Sequence, residues 1–239
     1  MTTLVPKVFP YCQGTPVFSV SDVVELEQRM AEQGTPLLEL MTQAGEAIAS
    51  VVSGSLPKKK KNICVLAGSG NNGGDGWIAA DKLAHEGYNV VLLTKDVPEE
   101  LTQEPLASAV RSIIERPYSF VLIDCPEDDV VTTCLNNADC IIDALLGTGF
   151  TYDEVRPPFS TWIEAANEAK RISGAIIVSA DVPSGLHAQL GVPAQACIEA
   201  NLTITMLAVK AGLVKPRAEQ YVGALFIAPL KDFNAQAIN

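Results

Sequence analysis

No uninterrupted apolar run in the 239 residues approaches the ~18–20 needed to cross a bilayer as a helix. The opening Met1-Thr-Thr-Leu-Val-Pro-Lys has no apolar signal core, so a targeting segment is not expected and a cytoplasmic location is. Cysteine pairs are missing too. The six cysteines (Cys12, Cys64, Cys125, Cys134, Cys140, Cys197) contain no C-x-x-C, and the two histidines, His85 and His187, stand far apart, which argues against zinc. Cys64 and Cys140 lie inside apolar runs and read as small core residues, reduced like the rest. Positive charge is scarce. Lys and Arg number 17 against 28 Asp and Glu, a net charge of −11, and neither nucleic acid nor an anionic membrane would meet the cationic surface it requires. Charged residues are only 19% of a chain that is 48% hydrophobic, which excludes disorder and fibrous repeats. No Ser–His or Cys–His arrangement suggests covalent acyl chemistry.

What is present is an alternation. Residues 1–20 read as an N-terminal arm, and 21–239 as one domain. From Ser21, a candidate N-cap, Val23, Leu26 and Met30 share a helical face. A second helix over Pro36–Ser53 has the stripe Leu37, Leu40, Met41, Ala44 and Ile48. The lysine run Lys58–Lys61 reads as a solvated turn before a buried strand. Strands are then expected at Asn62–Ala67, Asn89–Thr94, Phe120–Ile123, Cys140–Leu146, Ala175–Ala180 and Leu202–Leu207. Helices fall near Trp77–Glu86, Pro105–Glu115 and Thr161–Ile172. Strands apolar on both faces and separated by helices indicate a parallel sheet covered on two sides, a doubly wound α/β domain.

In such folds ligands sit beyond the carboxyl ends of the strands, so the loops there are read together. Gly68–Gly76 is G-S-G-N-N-G-G-D-G, which opens like a phosphate-approaching G-x-G-x-x-G. It then departs from that pattern, since Asn71, Asn72 and Asp75 place polar oxygens suited to a hard cation or a hydroxylated substrate. Asp143, inside an apolar strand, requires a donor or a cation, and Gly147 and Gly149 after it can offer amides to an anion. Asp181, at the end of another buried strand, is the candidate general acid–base. Lys210 is a single cation where a phosphate could lie. Asp96, after the second strand, would be the ribose-binding acid if the chain were an NAD-linked oxidoreductase. A non-catalytic ligand-binding scaffold is the remaining alternative.

Together G-S-G-N-N-G-G-D-G, D-A-L-L-G-T-G at Asp143–Gly149 and D-V-P-S-G at Asp181–Gly185 resemble the NAD(P)H-hydrate epimerase family, the YjeF N-terminal domains. L-x-E-L-M-x-x-A-G-E-A at Leu37–Ala47 and A-V-K-A-G-L at Ala208–Leu213 support the likeness, which runs from about Ser19 to Leu230. The resemblance implies a Rossmann-like three-layer αβα sandwich with a mostly parallel central sheet. Its implied activity is conversion of the R form of hydrated NADH or NADPH into the S form. Substrate contacts would come from Asn71, Asn72, Gly73, Gly74 and Asp75, from Gly147, Thr148, Gly149, Phe150, Thr151, Tyr152 and Asp153, and from Asp181. A potassium ion would be held by Asn72, Asp143 and Ser184. A homodimer is one assembly the resemblance allows. Functional coupling to an ADP- or ATP-dependent hydrate dehydratase is expected, because many bacterial relatives are fused to one. The chain is either a stand-alone epimerase or a piece of a longer protein.

Overall fold

The computed structural model describes residues 7–57 and 61–230; Lys58–Lys60, most of the lysine run read as a turn, lie outside them. Two short strands, β1 (Phe9–Pro10) and β2 (Val17–Phe18), precede helices α1 (Val20–Glu32) and α2 (Leu37–Ser55). Strands and helices then alternate: β3 (Asn62–Ala67), α3 (Asn71–His85), β4 (Asn89–Thr94), α4 (Leu106–Ile114), β5 (Val121–Asp124), α5 (Asp128–Asn136), β6 (Cys140–Ala144), α6 (Phe159–Ser173) and β7 (Ile176–Ala180). After them come β8 (Leu202–Met206), β9 (Val209–Lys210), α7 (Glu219–Val222) and β10 (Ala224–Ala228).

The main sheet has the order β1-β10-β8-β7-β6-β3-β4-β5, parallel throughout except for β1 against β10. β2 pairs separately with β9. Strand alternation divides the core. Ile63, Val65 and Ala67 of β3 pack with α1, α2, α3 and α4 on one face, whereas Cys64 and Leu66 pack with α5 and α6 on the other. The result is the expected three-layer sandwich. α2 buries Leu40, Met41, Ala44 and Ile48, each large side chain contributing about 1.5–3 kcal/mol. Leu37 of the expected stripe is instead 42% exposed.

Several boundaries differ from the sequence reading. The cap of α1 is Ser19, not Ser21: Ser19 Oγ accepts from the Asp22 amide at 3.1 Å while the Ser19 amide donates to the Asp22 carboxylate at 3.1 Å, a reciprocal capping box. The segment read as an arm supplies β1 and β2 to sheet edges. α5 was not foreseen, because D-D-V-V-T-T-C-L-N is rich in β-branched residues of low helix propensity. α3 starts at Asn71, six residues before the expected Trp77, so most of the glycine loop is helix.

β3 is the pivot of the topology. From it the chain winds outward through β4 and β5, then returns to β6 on β3's other side and winds away through β7 and β8. The order therefore reverses between β3 and β6, where an open α/β sheet leaves a crevice at its carboxyl edge.

Candidate active site

A cavity of about 920 Å³ lies over that reversal. Its walls are the β3–α3 junction (Ser69, Gly70, Asn71, Asn72), the loop after β6 (Leu145 to Phe150) and the approach to α6. Gly70 caps α3 without a side-chain hydrogen bond, so the first amides of the helix are left for a ligand, and the helix dipole favours an anion there.

The glycines of N-N-G-G-D-G serve close packing. A Cβ on Gly73 would fall 1.8 Å from the Gly68 carbonyl oxygen, and one on Gly74 would strike the Met41 sulfur at 2.3 Å. Only glycine lets the first turn of α3 press against both β3 and α2. That contact aims Asn72 at the β6 loop, where its Nδ2 donates to the Leu146 carbonyl at 2.9 Å. The Asn72 Oδ1 is buried and has no hydrogen-bond partner.

Asp143, fully buried on β6, is held by hydroxyls and an amide. Ser179 Oγ donates at 2.7 Å, the Ser184 amide at 2.9 Å and Ser184 Oγ at 2.5 Å. Ser184 Oγ in turn accepts from the Leu146 amide at 2.9 Å, tying this cluster to the residue whose carbonyl Asn72 engages. Burial raises the Asp143 pKa, and the serine donors pull it back in part.

β7 ends at Ala180, and Asp181 follows with φ of +61°, its neighbour's amide bonding back from Val182 to Ala180 at 2.7 Å. A non-glycine residue held in this region stores about 1–3 kcal/mol of strain. The turn points the carboxylate at the end of β8. There Oδ1 accepts from the Met206 amide at 3.0 Å, from Thr205 Oγ1 at 3.2 Å and from the Lys210 ammonium. Oδ2 has no protein partner among the described residues.

A second cavity, about 80 Å³, is walled by Glu27, Leu40, Met41, Asn71, Asp75 and Met206 among others. Desolvation pushes the Asp75 carboxyl well above the usual carboxylate range, helped by the charges of Asp181 and Glu27 and opposed by Lys210. Burial raises Glu27 likewise. Asn71 borders both cavities, whereas Asp181 is in the wall of neither.

Residues 37–212 match the family described as YjeF-related protein N-terminus. The chain belongs to that family. It is 31% identical over 225 residues to the NAD(P)H-hydrate epimerase of Lentilactobacillus buchneri, covering 93% of this chain and 98% of that protein. It is 33% identical over 233 residues to the bifunctional NAD(P)H-hydrate repair enzyme Nnr of Hyperthermus butylicus, covering 88% of this chain and spanning 42% of that relative's length. Its fold matches the crystal structure of yeast ynu0 with a TM-score of 0.74, 27% identity and 86% of each chain covered.

Against this family background, the residues singled out by sequence separate into groups. Asn71, Asn72, Gly147, Thr148, Gly149, Phe150, Tyr152 and Asp153 converge on the large cavity. Thr151 is exposed and does not line it, and Gly73 and Gly74 are buried in the packing beneath. Asp75 opens on the smaller cavity. Asn72, Asp143 and Ser184 share one hydrogen-bonded neighbourhood. Lys210 is the clear correction. It is 1% exposed, and its ammonium donates to Asp181, to Thr205 Oγ1 at 3.1 Å and to the Met206 carbonyl at 2.7 Å. All its donors are used inside the protein, and it has none for a phosphate. Asp143 has the donors that a carboxylate in an apolar strand requires, from Ser179 and Ser184. Glu27, Lys95 and Arg156 were missed. Lys95 alone carried a signal, as the residue directly after the second strand of the alternating region.

Proposed function

We infer that the chain is an NAD(P)H-hydrate epimerase, interconverting the R and S forms of hydrated NADH and NADPH. The observation that carries this beyond family membership is Asp181. It is a carboxylate with one oxygen fixed by three donors and the other without a partner among the described residues. Its charge acts on Asp75, which opens on the small cavity that shares Asn71 with a crevice large enough for a dinucleotide.

The substrate carries a hydroxyl on the ring carbon next to nitrogen, a hemiaminal. Protonation of that hydroxyl by Asp181 through Oδ2 lets the nitrogen lone pair expel water, leaving a planar iminium. Water adds to the opposite face, and Asp181 takes the released proton back. Proton and water both balance, and general acid–base assistance of this kind is worth about 10²–10⁴-fold. Lys210 anchors Oδ1 and so orients the carboxyl. Thr148, Gly149, Phe150, Tyr152 and Asp153 form the wall along which the nucleotide lies.

A potassium ion fits the donor set of Asn72, Asp143 and Ser184. The orphaned Asn72 Oδ1 and a single carboxylate among neutral oxygens suit a monovalent hard cation. Among the described residues no three His, Cys, Asp or Glu side chains cluster as a metal site. When bound, the ion would supply a fixed positive charge at the floor of the crevice. The oxidoreductase alternative loses support, because Asp96 does not line the cavity.

The deciding experiment mixes the protein with a dehydratase that accepts only the S hydrate. Full consumption of an R,S mixture supports the reading, and persistence of the R half overturns it. Oxidation of NADH by an added carbonyl compound would favour the oxidoreductase.

A further inference from the structure

With Lys210 buried, the cations facing the large cavity are Lys95 and Arg156, the only Lys and Arg in its lining among the described residues. Lys95 directly follows β4. Its ammonium lies 3.6 Å from the Asp96 carboxylate and 5.6 Å from the centre of the Phe159 ring, which shares the cavity wall. The Lys95 side chain is 40% exposed, so that ion pair holds it only weakly against a more highly charged anion. The Arg156 guanidinium has no acid partner among the described residues. Asp153 and Glu154 share that lining, so Lys95 and Arg156 are the side chains in it able to pair with an anion.

Their position along the sheet gives the anion a chemical identity. The carboxyl ends of β7, β6, β3 and β4 follow one another in the sheet, three inter-strand steps of ~4.8 Å, or roughly 14 Å from the Asp181 end to the Lys95 end. A dinucleotide with its hydrated ring at Asp181 and its pyrophosphate over the start of α3 brings its adenosine half to the end of β4. In doubly wound nucleotide folds that position reads the adenosine ribose. An acid there hydrogen-bonds a free 2′-hydroxyl, and a cation nearby accommodates a 2′-phosphate. The β3–α3–β4 unit ends in Lys95-Asp96, and it is the lysine, not the aspartate, that lines the cavity.

We propose that Lys95, assisted by Arg156, reads the 2′-phosphate of the substrate, so that the chain works more efficiently on hydrated NADPH than on hydrated NADH. The proposal rests on the epimerase reading and adds a substrate preference to it.

The test measures kcat/KM for both hydrates with the wild type, Lys95→Met, Arg156→Gln and Lys95→Arg. Lys95→Met is expected to lower efficiency on hydrated NADPH about tenfold more than on hydrated NADH, chiefly through KM, as removal of a charge-assisted contact does. Arg156→Gln should shift the ratio the same way, and Lys95→Arg should restore most of the preference. Inhibition constants for 2′-phospho-ADP-ribose and ADP-ribose should follow the same ratio, and added salt should shrink it. Equal wild-type efficiency on the two hydrates, or a ratio unmoved in both charge-removing variants, overturns the proposal. If neither hydrate is epimerised the epimerase reading fails instead. Direct binding of the two ADP-ribose probes then decides for Lys95: tighter binding of the phosphorylated probe, lost in Lys95→Met, upholds its role, and equal binding ends it.

Discussion

The Lys210 ammonium donates to Oδ1 of Asp181 across 29 residues of sequence, joining the end of β9 to the turn after β7. The lysine is 1% exposed and the aspartate side chain 13%. One buried cation thus holds one oxygen of the candidate catalytic carboxyl and leaves the other free.

Asp181→Asn is expected to reduce epimerisation by at least the ~10²–10⁴-fold typical of general acid–base groups. The amide oxygen still accepts from Lys210, so the fold and much of the substrate affinity should remain. Near-wild-type turnover in a coupled dehydratase assay would remove Asp181 from the chemistry.

Lys210→Met leaves a buried carboxylate without its counter-charge and should cost about 3–5 kcal/mol of stability in urea unfolding. Adding Asp181→Asn to that variant should recover part of the loss, because the uncompensated charge is gone. Strict additivity of the two changes would mean that the pair is not coupled as the geometry indicates.

Asp143→Ala should abolish potassium-dependent stabilisation. Wild-type thermal stability rises with potassium by mass action if the ion binds the folded state, measured against choline at constant ionic strength. The variant, lacking the charged ligand beside Asn72 and Ser184, should show a flat response. Equal slopes in both proteins would exclude the ion from this cluster.

Asp75 gives stability a pH signature. Its folded-state pKa is raised, so between the ordinary carboxylate range and that raised value the folded protein holds a proton that the unfolded chain has released. Stability contributed by this group is therefore complete in acid and declines as pH rises through that window. Asp75→Asn removes the titrating group. It should raise the melting temperature relative to wild type at pH 8, with a smaller difference at pH 5. A constant difference across that range would show that Asp75 does not titrate differently in the folded state.

The sequence by itself determined the class of fold and the set of loops that matter. Apolar strands such as Asn62–Ala67 and Asn89–Thr94 are legible because burial on both faces demands it, and short glycine- and aspartate-bearing turns mark where they end. Asp143 was conspicuous because a carboxylate in an apolar strand carries a large desolvation cost. What only the tertiary structure decided depends on neighbours distant in sequence. The start of α3 at Asn71 reflects packing: a first turn containing two glycines is a poor helix by propensity, and Met41 and Gly68 close around it. The fate of Lys210 was equally hidden. A lysine after a strand looks the same in sequence whether it faces solvent or a carboxylate, and the left-handed turn at Asp181 together with the parallel pairing of β7 and β8 brings that carboxylate within its reach. Lys95 and Arg156 became cavity residues for the same reason. The reversal of strand order between β3 and β6 creates the crevice, and no local pattern records which side chains border a space enclosed by segments of chain so far apart in sequence.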